Sequence, residues 1–228
     1  MSNKPQKRDV SEKKLRRDII GTALTMSQRG LSPGRSGNVS ARFGDGMLIT
    51  PTGMAYDTLE PADIVFVDGD GAVLGEQRKP SSEWRFHLFA YDARPDRHAI
   101  VHTHSLHATV LACVNRPIPA FHYKVAVAGG NDIPVVPYAT FGTDELGQYV
   151  ASGLKHRDAC LMASHGQIAI GETLTAALEL AFEVETLAEQ YFKVLLLSGA
   201  SLAPEILSSK AMAGMVEKFK TYGQKGQG

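Results

Sequence analysis

"HAIVHTHSLHATVLACV", His98–Val114, contains the change of period that decides the fold. Its first part, "HAIVHTH", is β-branched and reads as a strand. From Ser105 the stretch "SLHATVLACV" reads as a helix. A strand passing directly into a helix is an α/β unit, in which helices cover a sheet. Side chains two apart on a strand share a face, so His102 and His104 point the same way. Three of the chain's eight histidines lie between His102 and His107.

Working outward, other segments repeat the alternation. "MLITPTG" reads as a short strand ending in a turn, and "DIVFVDGDGAVL" as a hairpin around a glycine turn. "DIPVVPYATFGTDE" is a strand running into a capped helix, and "DACLMASHG" a strand ending at His165. Leu15, Ile19, Ala23 and Met26 recur at helical spacing between Asp9 and Gly30. "KPSSEWRFHLFAYDARP" opens a helix with Glu83 in its first turn. The longest helical stretch runs from Thr173 to Gly199. "GLSPGRSGNVSAR" is too rich in Gly and Ser at its start for a regular element. No βαβ beat dominates. The expectation is one α/β domain, residues 1–228, with a mixed sheet covered by helices. Residues 1–8 and about 209–228 are expected to be flexible tails.

Composition narrows the function. Lys plus Arg and Asp plus Glu both number 24, giving zero formal net charge. Nothing in that balance favours nucleic acid or an anionic membrane surface. The N-terminus is polar, and no apolar run reaches about 18 residues. A cytoplasmic protein is expected. The two cysteines, Cys113 and Cys160, have no metal-ligand spacing and read as small buried hydrophobes.

Two imidazoles on one face of a strand end can reach one ion, and neutral imidazole suits zinc. HxH alone is weak, and a third ligand must come from elsewhere. His165 sits at a strand end before Gly166 and is well placed. His107 and His122 compete with it. His87, one helical turn after Glu83, reads as a cap or packing residue, and His98 and His156 as solvated. Glu83 alone reads first as a partner of the helix dipole. The clusters "GRSGNVS", "PTG" and "PSSE" gather hydroxyls and backbone amides of the kind that hold phosphate, although Ser81 and Ser82 serve equally as ordinary caps.

"SGNVSAR", "MLITPTGMAYD", "KPSSEWRFH", "VHTH", "IPAFHY", "VAVAGG", "PYATFGT", "SHG" and "KFKTYG" stand in that order. Over nearly the whole chain this pattern resembles the class II aldolase/adducin family. The resemblance implies a three-layer αβα sandwich around a mixed, largely antiparallel sheet. It implies His102, His104 and His165 as ligands of one zinc ion per subunit, another divalent transition metal being an alternative. It implies Glu83 as catalytic acid/base and Arg35, Asn38, Gly53, Ser81 and Ser82 as the phosphate site. Tyr123 would reach in from a neighbouring subunit, and Tyr222, in the C-terminal tail, would handle the aldehyde half. The assembly implied is a cyclic homotetramer with interface active sites. The substrate implied is a ketose 1-phosphate, L-fuculose 1-phosphate or similar, split to dihydroxyacetone phosphate and a short aldehyde. Zinc chelated by the carbonyl and hydroxyl oxygens would hold the enediolate charge.

Two positions depart from that pattern. Arg35 stands where such aldolases carry a small hydroxyl residue. Its fork suits a phosphate, or a carboxylate as in a decarboxylating relative. Lys124 stands where an apolar residue is usual. The alternatives are therefore a decarboxylase of a 3-oxo sugar-acid phosphate, and a retro-aldol on 5-deoxy- or methylthio-pentulose phosphates. A non-catalytic, adducin-like scaffold is disfavoured by the complete set of His102, His104, His165, Glu83 and Tyr123.

Overall fold

The computed structural model describes residues 5–34, 36–198 and 204–221. Nine strands are seen among them: β1 Asn38–Phe43, β2 Gly46–Ile49, β3 Val65–Val67, β4 Ala99–Thr103, β5 Ile118–Pro119, β6 Asp132–Ile133, β7 Val135–Val136, β8 Ala159–Met162 and β9 Gly166–Gly171. The helices are α1 Pro5–Gln28, α2 Trp84–Ala93, α3 Leu106–Cys113, α4 Asp144–Leu154, α5 Leu174–Ser198 and α6 Ser209–Phe219. Seven strands form one sheet in the order β3-β2-β1-β4-β9-β8-β7. Every neighbouring pair is antiparallel except β7 and β8, which are parallel. This is the expected α/β fold with a mixed, largely antiparallel sheet.

The period of two along the strands divides the core. Val39, Ala41, Val101 and Ala169 face the layer of α1, α3 and α5. Met47, Ile49, Ile100, Ile168 and Ile170 face the other layer, where Phe86 and Ala90 of α2 and Leu146 and Val150 of α4 pack. His102 follows Ile100 on that second face. The register sets it directly opposite Asn38 of β1 and Ile168 of β9. The centre of the sheet therefore carries a polar row at one end of a face that, beside it, is polar at Ser40 and apolar at Ile100, Ile168 and Ile170.

"NVSARF" is a strand, β1, and the described residues of the Gly/Ser-rich start before it carry no regular element, as expected. Three local readings are corrected. "DIVFVDGDGAVL" is one edge strand and a turn, not a hairpin. The Gln77 side chain takes the place of the second strand: its Oε1 accepts from Phe66 N at 2.8 Å and its Nε2 donates to Phe66 O at 3.4 Å. Residues 209–219 are not a loose tail. They form α6, with the Ser208 hydroxyl accepting from Ala211 N at its start and Met212 buried in the core. Cys113 ends α3 exposed, whereas Cys160 is buried as expected.

Candidate metal centre and active site

The cluster forms where three chain segments meet at the end of β4. His102 is the fourth residue of β4, and His104 follows the strand just before α3 begins. His165 lies in the tight β8–β9 turn, next to Ser164 at φ 54°. A side chain at Gly166 would run into the Thr103 carbonyl, so glycine lets the turn close on β4. Glu83 is the N-cap of α2, but its side chain makes no capping bond. Instead the carboxylate turns into the cluster, with Oε1 2.9 Å from His165 Nε2 and Oε2 3.4 Å from His102 Nε2. The helix-dipole reading of Glu83 does not describe it.

The three imidazole rings are equidistant, each pair of centroids 4.9 Å apart and inclined at 70–80°. His102 Nε2 and His104 Nε2 are 3.0 Å apart. Nδ1 of His102 donates to the Gln167 carbonyl at 2.8 Å, which fixes the ring and aims Nε2 inward. One donor atom from each of Glu83, His102, His104 and His165 lies within 4.8 Å of the other three. Burial, with the charges of His102 and His165, lowers His104 to about 3, so it stays neutral with a lone pair to offer. Burial pushes Glu83 up, but the charge and hydrogen bonds of His102 and His165 outweigh it and hold the carboxyl well below its usual range. Convergent imidazole nitrogens beside a carboxylate are the donor set of a divalent transition metal. The residues present fit such an ion.

A cavity of about 390 Å³ opens from this cluster. Asn38, Gly53, Ser81 and Ser82 share its wall with Glu83, His104 and His165. Asn38 Nδ2 donates to Ser81 Oγ at 3.0 Å and to Glu83 Oε2 at 2.8 Å, so it joins the two sides of the cavity. The Ser81 backbone N–H is spent on the Thr50 carbonyl at 3.0 Å. Ser81 therefore offers the cavity its hydroxyl and not the amide expected of it. Ser82 is exposed.

The other candidates separate cleanly. His107 Nδ1 lies 2.9 Å from Glu185 and takes no part in the cluster. His122 accepts from the Lys124 backbone at 3.2 Å, also outside it. Lys124 pairs with Glu183 at 2.8 Å, which gives that unusual lysine a partner in its own chain. Tyr123 is 45 % exposed, stacked on Phe219, and does not line its own chain's cavity. Arg35 and Tyr222 lie outside the described residues. Sequence reading missed Gln167, whose carbonyl orients His102 and whose amide donates to Ser105 Oγ and the Ala181 carbonyl. The available signal was a glutamine inside the apolar strand "GQIAIG".

A cluster of three histidines and a glutamate, set at a sheet end over a cavity, defines an α/β protein with a site able to hold a metal ion. Residues 17–192 match the family described as Class II Aldolase and Adducin N-terminal domain. The chain belongs to that family and is a class II aldolase. It is 53% identical to a 5-methylthioribulose-1-phosphate/5-deoxyribulose-1-phosphate aldolase of Rhodospirillum rubrum, over 93% of this chain and 94% of that one. It is 51% identical to an L-fuculose phosphate aldolase of Escherichia coli strain K12, over 94% of this chain and 98% of that one. A solved L-fuculose 1-phosphate aldolase superposes with a TM-score of 0.85 at 38% identity, covering 91% of this chain and 96% of that one.

Proposed function

We propose that this aldolase cleaves a ketose 1-phosphate between C3 and C4, releasing dihydroxyacetone phosphate and a short aldehyde. L-Fuculose 1-phosphate would give L-lactaldehyde, and 5-deoxyribulose 1-phosphate would give acetaldehyde. The observation that carries this reading is the position of Glu83. Its carboxylate stands between the histidines and the Asn38–Ser81 wall. A substrate whose phosphate rests on that wall would present its adjacent carbons to Glu83.

The chain's own residues would divide the work. Ser81, Ser82, Gly53 and Asn38 would hold the phosphate, and remote binding energy spent there orients the reacting carbons. His102, His104 and His165 would hold a divalent ion, zinc in this proposal, which when bound supplies Lewis acidity to the substrate's carbonyl and hydroxyl oxygens. As the C3–C4 bond breaks, its electron pair stays on C3. Glu83 would deliver a proton to that carbon and recover it in the reverse direction. The proton lost from the C4 hydroxyl needs a separate acceptor, a role for which Tyr123 of a neighbouring subunit is proposed, with Tyr222 of the C-terminal tail helping to handle the aldehyde half. Tyr123 is half exposed and lies away from its own chain's cavity, which leaves it available to a neighbouring subunit, and a cyclic homotetramer is proposed with it. The decarboxylating alternative keeps the same site and turns on Arg35, which lies outside the described residues.

The test is turnover of L-fuculose 1-phosphate and 5-deoxyribulose 1-phosphate by zinc-loaded protein, with Glu83→Gln alongside. Release of dihydroxyacetone phosphate that falls by about 10²- to 10⁴-fold in the variant supports the reading. No turnover of either ketose, or carbon dioxide released from a 3-oxo acid phosphate, overturns it.

A further inference from the structure

Behind Asn38 a chain of buried side chains leads away from the cavity, and Glu83 dictates its direction. A carboxylate only accepts hydrogen bonds, so the Asn38 amide must turn Nδ2 toward Glu83 Oε2. Asn38 Oδ1 then faces His87, and His87 Nε2 must carry the hydrogen donated to it. The other ring nitrogen, Nδ1, is left as an acceptor. Ser40 O–H therefore donates to it at 2.7 Å. With its one hydrogen used, Ser40 Oγ accepts from Tyr91 O–H at 2.9 Å. The hydrogens of Ser40, His87 and Asn38 are assigned by this logic, and the Tyr91 hydroxyl also reaches the His98 carbonyl at 3.5 Å. All five residues are buried. His87 stays neutral, as the scheme requires, because burial and the charge of His102 lower it to about 3.

We propose that His87 is a positioning residue: its Nε2–H, backed by Ser40 and Tyr91, locks the Asn38 carboxamide so that both amide hydrogens face the cavity side. One of them holds Glu83 and the other holds Ser81. A single buried histidine thereby sets the aim of the acid/base and of a phosphate-side hydroxyl together. Without the donor, Asn38 Oδ1 is left buried with no partner, and the amide is held only through Glu83 and Ser81. This inference rests on the acid/base role given to Glu83 above.

The experiment compares His87→Leu and His87→Gln in the zinc-loaded protein on the better of the two ketose phosphates. Leucine fills the space without a donor, whereas the glutamine amide can restore an N–H where Nε2 stood. His87→Leu should lower kcat by about 10- to 100-fold, the range for residues that orient a metal-site ligand, with zinc content unchanged. His87→Gln should recover most of that loss. Equal kcat for His87→Gln and His87→Leu, or His87→Leu within twofold of the parent, overturns the proposal. If His87→Leu does not fold, Ser40→Ala and Tyr91→Phe decide. A lowered kcat with zinc retained supports the proposal, and an unchanged kcat in both overturns it. Glu83→Gln is run in parallel. If it remains active, the reading of Glu83 has failed. If it is inactive while His87→Leu is active, only the present inference has failed.

Discussion

Gly37→Ala is expected to damage both the fold and the metal centre, by an amount the geometry sets. Gly37 adopts φ 88°, where an L side chain is strained at a cost of about 1–2 kcal/mol. A Cβ there would also lie 2.6 Å from the His102 carbonyl and 2.6 Å from Ser32 Oγ. An ordinary carbon–oxygen contact is about 3.3 Å, so the β1 entry would have to move roughly 0.7 Å from β4. Overpacking of that kind costs about 1–3 kcal/mol. Gly30→Ala separates the two effects, because Gly30 has φ 79° and nothing within 4 Å of its Cβ position. Both variants should lose the strain energy, and only Gly37→Ala the contact energy. At about 2–4 °C per kcal/mol for a chain of this size, Gly37→Ala should melt at least about 2 °C below Gly30→Ala by calorimetry. It should also bind zinc about 10- to 100-fold more weakly in a chelator competition, since the contact forced apart is the one at the His102 backbone. Equal melting temperatures and equal zinc affinity would refute the claim that glycine is needed at Gly37 for close approach to the metal strand.

Replacing a ligand is a sharper perturbation: His102→Asn or His165→Asn should purify with less than stoichiometric metal, read by elemental analysis on folded protein. The acid limb of stability should also report on His87. Its folded pKa, about 3, lies below the ordinary 6.5, so the unfolded chain binds more protons between those values. Stability is then full above 6.5 and falls as pH drops toward 3. His87→Leu should flatten that limb by about 1.4 kcal/mol per pH unit, measured by urea unfolding at stepped pH. The thiols should differ too. Burial pushes Cys160 up to about 12 while Cys113 is exposed, so one thiol per chain should react quickly with a disulfide reagent. None reacting would place Cys113 in a subunit interface.

What could be read from the residues followed from local period, and what could not depended on pairing across the chain. His102 and His104 declared themselves because a strand sends alternate side chains to one face. His165 did so because a strand end must turn. Glu83 was visible as a residue but not as a role: a carboxylate in a first helical turn reads as a dipole partner, and its direction is decided by Asn38, 45 positions earlier. "NVSARF" hid behind a glycine-rich entry. Its strand character comes from antiparallel partners on both sides, β2 and β4, which no local propensity records. His87 was the hardest of these, because the groups that give it meaning are 47 and 49 residues away, at Ser40 and Asn38.

The same register explains why the site stands where it does. Asn38 faces His102 across β1 and β4, so the Asn38–Ser81 wall of the cavity and the strand that carries the histidines are joined at one rung of the ladder. The α2 face of β1 is apolar neither at Asn38 nor at Ser40, and burying two polar side chains there costs stability unless each is hydrogen-bonded. His87 and Tyr91, one helical turn apart on α2, supply the partners for both. A polar pair on the sheet is thus matched by a polar pair on the helix. That helix begins at Glu83, so the packing that satisfies Asn38 and Ser40 also holds the start of α2, and its carboxylate, against the histidines.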